Sequence, residues 1–103
     1  MSSFSDREKA YENKFAHDAE LRFKAQARRN KALGLWAASL LGKTGAEAEA
    51  YAAEVVKADL EEDVFRKVRG DFDAAGVDQS DHQIRRQMAE LLVAAAEQIE
   101  KEA

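Results

Sequence analysis

Not one proline occurs in this chain, and glycine appears only five times in 103 residues. Proline removes a backbone donor and clashes with the preceding turn, so a chain without it meets no obligatory helix break. The residues that dominate (Ala, Glu, Lys, Arg, Leu and Gln) are those that lose least on entering a helix, and β-branched residues are few. The fold class that follows is all-α. A chain of this length can close one core but not two, so it forms one domain at most.

The remaining breaks divide the chain. No Gly or Pro interrupts it from Asp6 to Leu33. Ser5 is a candidate N-cap, followed by Asp6 and Glu8 where the helix dipole favours acids. One helix could run unbroken from there to about Leu41. Gly42-Lys43-Thr44-Gly45 is a helix stop, and Thr44-Gly45-Ala46-Glu47 reads as a capping box. Asp59 is a candidate N-cap for a short third helix. Gly70 and Gly76 bracket an expected loop over Asp71–Gln79. Ser80-Asp81-His82-Gln83 is a second capping box, opening a helix whose Ile84, Met88, Leu91, Leu92, Ala95 and Ile99 share a stripe about 100° wide. The expected architecture is a small four-helix bundle with helices at about 19–41, 46–57, 59–69 and 81–101. An N-terminal arm, mobile or helical, precedes it over residues 1–18. Trp36 is the largest expected core residue.

The arm differs in character from the body. Residues 1–31 hold eight Lys or Arg against five Asp or Glu, whereas residues 32–103 hold eight against fifteen. Phe4, Tyr11 and Phe15 fall within an arc of about 40° on a helix of ~100° per residue. Such a stripe either folds back onto the chain's own bundle or enters a groove on a partner. Its charged neighbours mix both signs, unlike the one-sided basic face of a membrane-surface helix. A second cluster, Arg22, Lys24, Arg28, Arg29 and Lys31, is either a solvated helix face, a docking surface for an acidic protein, or a phosphate or nucleic-acid contact.

Several functions find no support. The longest apolar run, Leu33 to Leu41, is too short to span a bilayer, and no signal peptide is visible, so a cytoplasmic location is expected. There is no cysteine, hence no disulfide, thiolate metal site or thiol nucleophile. A net charge of −4 opposes general nucleic-acid binding. Gly42-Lys43-Thr44 resembles the end of a phosphate-binding loop, but it follows a helix, and Ala37 stands where the first glycine is needed. Asp71-x-Asp73-x-x-Gly76 resembles half an EF-hand, but Ala75 and His82 occupy ligand positions. His17 and His82 have no partner at metal-ligand spacing. Neither an enzyme, a metal site nor a cofactor is expected.

The run Asp6-Arg7-Glu8-Lys9-Ala10-Tyr11-Glu12-Asn13-Lys14-Phe15-Ala16-His17-Asp18 resembles the N-terminus of a known family. So do Phe23-Lys24 with Ala27-Arg28-Arg29-Asn30-Lys31, and Leu33-Gly34-Leu35-Trp36-Ala37-Ala38 leading to Leu41-Gly42-Lys43-Thr44-Gly45. Asp63-Val64-Phe65-Arg66-Lys67-Val68 followed by Asp71-Phe72-Asp73 completes the likeness. The family is the zeta subunit of the α-proteobacterial F1Fo-ATP synthase, and the resemblance extends over nearly the whole chain.

The resemblance implies a four-helix bundle that inhibits ATP hydrolysis by the F1 sector, with no catalysis of its own. It implies that an N-terminal segment, about Ser2 to His17, is mobile when free and becomes helical as it enters a catalytic α/β interface near the central rotor. The body docks outside. Carried onto this sequence, Phe4, Tyr11 and Phe15 supply apolar contact, and Arg7, Glu8, Glu12 and Lys14 supply pairing partners. Arg22, Lys24, Arg28, Arg29 and Lys31 are candidates for docking the body. The free protein is expected to be a monomer in the bacterial cytoplasm that associates with the membrane-bound synthase. A competing reading is a small sensor bundle that binds ATP or ADP with the arm as a lid.

Overall fold

The computed structural model describes residues 3–15, 17–58 and 60–102. Among them are five helices and no strand: α1 (Phe4–Phe15), α2 (Ala19–Leu40), α3 (Gly45–Val56), α4 (Glu61–Ala75) and α5 (Asp81–Glu102). The all-α expectation holds. α2 is the hub and touches each of the other four helices, while α1 rests on α5 and α2.

A single continuous helix from the arm to Leu41 does not form. Asp18 adopts an extended backbone, and its carboxylate accepts the Leu21 amide at 3.1 Å, so α2 starts afresh at Ala19. A side chain that takes an orphan amide of the first turn fixes a helix start in this way. α1 begins earlier than Ser5 would allow. The Ser3 hydroxyl accepts the Asp6 amide at 3.2 Å, and Asp6 accepts the Ser3 amide at 3.4 Å. Met1, Ser2 and Ala16, within the expected arm, lie outside the described residues.

At its far end α2 stops as expected, and the Lys43 amide reaches back to the Ala38 carbonyl at 2.8 Å. The Thr44 capping box does not form as a side-chain device. Thr44 precedes α3 in extended conformation, but its side chain makes no capping bond. Ser80 and Gln83 do form the reciprocal pair, at 3.0 and 2.7 Å. The proposed Asp59 cap lies outside the described residues, and α4 starts after Leu60.

The largest departure is in α4. A helix ending near residue 69 and a loop over Asp71–Gln79 are both incorrect, because α4 continues through Gly70 to Ala75. Val64, Val68 and Phe72 recur every four residues and are all buried. Burying Phe72 outweighs the roughly 1 kcal/mol that a mid-helix glycine costs. The turn comes instead at Gly76, whose φ of 71° lets the Val77 amide reach the Phe72 carbonyl at 2.9 Å.

The core lies between α2, α3, α4 and α5. It is built from Leu33 and Ala37, Val55, Val68 and Phe72, and Ile84 and Met88. Trp36 is partly buried and packs edge-on against Phe72, with centroids 5.6 Å apart. The largest fully buried side chain is instead Arg29. α2 and α3 approach so closely at Gly34 that an added Cβ would stand 2.6 Å from the Ala52 Cα. A second, smaller cluster joins Phe15 of α1 to Ala25 of α2 and to Ala96 and Ile99 of α5.

Candidate functional site

α1 carries the arm's residues as one amphipathic helix, and its apolar side faces the body. Phe15 is 1% exposed. Its ring stacks on Tyr11 with centroids 5.2 Å apart and planes 14° from parallel. Tyr11, Leu21 and Leu92 pack around the cluster it anchors. Burial raises the Tyr11 hydroxyl above its ordinary range, and the neighbouring charges of Arg29 and Arg22 oppose that rise. Phe4, the first residue of α1, is partly buried.

Two ion pairs flank this stripe. Arg7 donates from Nε and Nη2 to both carboxylate oxygens of Glu97, at 2.9 and 2.7 Å. The paired guanidinium holds the Glu97 carboxyl below its usual range, and Glu97 raises Arg7 in turn. Lys14 Nζ lies 3.2 Å from Glu100. Both carboxylates belong to α5, one turn apart.

Glu8 and Glu12 look elsewhere. With Tyr11 they border a cleft of about 240 Å³ between α1 and the α4–α5 face, closed by Glu61, Arg85 and Met88. Glu12 is exposed and Glu8 partly buried. The structure therefore brings Phe4, Arg7, Tyr11, Lys14 and Phe15 toward the body and leaves Glu12 facing solvent.

The basic cluster on α2 is divided by the structure. Lys24 and Lys31 are exposed, and so is Arg22. Arg28 makes a bidentate pair with Glu102 at 2.6 and 2.9 Å, which lowers the Glu102 carboxyl. Arg29 is interior at 2% exposure. It donates to Asn30 Oδ1 at 2.8 Å, to Glu61 at 2.9 Å and to the Met88 carbonyl at 3.3 Å. One guanidinium thus ties α2 to α4 and α5. Ala25, Arg29, Leu33 and Ala37 are all buried at spacing four, so the register of its apolar neighbours was the signal that marked Arg29 as interior.

The lookalike motifs dissolve into the fold. Asp71 and Asp73 lie within α4 and serve as local partners. Asp71 accepts the Tyr51 hydroxyl at 2.8 Å and Lys67 at 3.2 Å, while Asp73 accepts Arg69 at 2.7 Å. Lys43 and Lys67 border an open cleft of about 360 Å³ with Glu54 and Asp71. Lys67 is held there by both carboxylates and lies 5.0 Å over the Tyr51 ring, an arrangement that opposes a polyphosphate. Among the described residues no group of three His, Cys, Asp or Glu side chains is placed to hold a metal, and no helix is long and apolar enough to cross a membrane.

Fold and site together define a small helical protein with a discrete amphipathic N-terminal helix, docked on its body by one face. The sequence profile described as ATPase inhibitor subunit zeta matches residues 1–98. The chain belongs to the ATPase inhibitor subunit zeta family. It is also similar to a chain solved in solution by NMR, at 49% identity and a TM-score of 0.69, over 81% of this chain and 99% of that one. A search of curated proteins finds no match.

Proposed function

We propose that this protein restrains ATP hydrolysis by the F1Fo-ATP synthase by inserting its N-terminal segment into a catalytic α/β interface of F1, near the central rotor. Family membership supports an inhibitory role. The observation that carries the insertion mechanism is the independence of α1. It is a separate helix, with α2 newly capped by Asp18. It contributes no residue to the main core among α2, α3, α4 and α5; its one buried residue, Phe15, belongs to the smaller cluster. Such a helix can leave without dismantling the fold, and its Phe4–Tyr11–Phe15 stripe is the form in which amphipathic helices enter hydrophobic grooves.

In this reading α1 and the few residues before it are the arm, and α2–α5 are the four-helix body that positions it. Arg7, Glu8, Glu12 and Lys14 pair with charges lining the groove. Of the basic cluster, Arg22, Lys24 and Lys31 are exposed and are proposed to dock the body; Arg28 pairs with Glu102 and Arg29 with Glu61. A docked body holds the arm at high effective concentration and offsets the ordering that insertion requires.

The test is inhibition of hydrolysis by F1 from the same source. The full chain is expected to inhibit at far lower concentration than a peptide of residues 1–18. Equal potency would contradict delivery of the arm by the body.

A further inference from the structure

We infer that α1 is stored on its own body in a position that withholds it from a partner, latched by the pairing of Arg7 and Lys14 with Glu97 and Glu100 of α5. This inference rests on the proposed role of the arm and adds a form of regulation to it. The side chains that would enter a groove are already in use. Phe15 is almost wholly buried against Ala25, Ala96 and Ile99, and Tyr11 is stacked on it. Arg7 has both carboxylate oxygens of Glu97, and Lys14 has Glu100. One face cannot lie on α5 and in a partner at once, so binding requires release.

The latch is weak enough to open. Its ion pairs are about half exposed, the class of pair that contributes least. The apolar part of the contact is a small satellite cluster, separate from the main core. Regions secured by few buried contacts open well below the global unfolding energy. A binding-competent state that is only fractionally populated weakens apparent affinity by that fraction. Loosening the latch therefore strengthens inhibition, opposite to the usual effect of removing a native contact.

The experiment compares the full-length protein with its Glu97→Arg variant. Glu97 lies on the body, and its loss removes no group from the arm. Two readouts are taken: amide hydrogen exchange over residues 4–15, and the concentration giving half-inhibition of F1 hydrolysis. Exchange is expected to quicken about three- to tenfold as attraction turns to repulsion, with α2–α4 unchanged. Half-inhibition is expected to fall by a similar factor. A second variant, Arg7→Glu with Glu97→Arg, is expected to restore slow exchange. Unchanged exchange in Glu97→Arg would overturn the latch. Faster exchange with unchanged potency would overturn the claim that storage competes with the partner. If the wild-type chain does not inhibit at all, the proposed function fails, and the exchange result alone decides whether α1 is latched.

Discussion

Arg7 and Glu97, ninety residues apart in sequence, face each other in a two-point pair at 2.9 and 2.7 Å. The pair fixes both the height and the rotation of α1 on α5, because a planar guanidinium meets a carboxylate edge to edge. Two turns further along α1, and one turn along α5, Lys14 and Glu100 repeat the connection at 3.2 Å. Between them the Tyr11 and Phe15 rings face inward. The N-terminal helix is thus defined by what it touches on the last helix as much as by its own sequence.

The first prediction concerns pH. Glu97 is held below its ordinary range by Arg7. A carboxyl lowered in the docked state contributes stability that is complete above its free pKa and is lost as pH falls through its docked value. The docking of α1 should therefore be constant from neutral pH down to about 5 and should weaken below about 4. Amide chemical shifts of residues 4–15, followed against pH, check this. Glu97→Gln should remove most of the dependence, while Glu102, paired to Arg28, retains its own low-pH change at the end of α5.

Replacing Arg29 tests the interior guanidinium. Arg29→Ala empties the largest fully buried side-chain volume and removes donors from Asn30 and the Met88 carbonyl. A loss of about 3 kcal/mol is expected. Arg29→Met keeps most of the volume and should lose about half as much. Urea unfolding followed by circular dichroism gives both values. A neutral Arg29→Ala would mean that the interior arginine does not hold α4 and α5 to α2.

Gly34→Ala is expected to destabilise by about 1–3 kcal/mol, although alanine is the better helix former by roughly 1 kcal/mol. The added methyl would stand 2.6 Å from the Ala52 Cα, a backbone atom that cannot swing aside. Gly70→Ala is the control. A Cβ there meets nothing within 4 Å, so the same change should stabilise α4 by up to about 1 kcal/mol. Thermal melts of the two variants should move in opposite directions.

Much of this fold could be read from residues in order. The absence of proline gave the helical class, the Ser80–Gln83 box marked the start of α5, and the stripe from Ile84 to Ile99 gave its buried face. Errors arose where burial overrode local preference. Gly70 suggested a break, but Val64, Val68 and Phe72 carry the helix through it. Arg29 is continuous in sequence with the basic cluster, yet it is buried in register with Ala25 and Leu33. Thr44 had a capping sequence without a capping bond. At the candidate site, sequence gave the arm's aromatic stripe but not its counterpart: Glu97 and Glu100 are ordinary acidic positions until the fold sets them beside Arg7 and Lys14.

The N-terminal segment is proposed as the inhibitory element. Its most direct test is ATP hydrolysis by F1 of the same source, titrated with the full chain and with a chain beginning at Asp18. Because Asp18 itself caps α2, the shortened chain keeps the start of its first remaining helix. The full chain is expected to abolish hydrolysis, while the shortened chain still binds F1 and leaves hydrolysis intact. Equal inhibition by both would contradict it and place the inhibitory surface on the body.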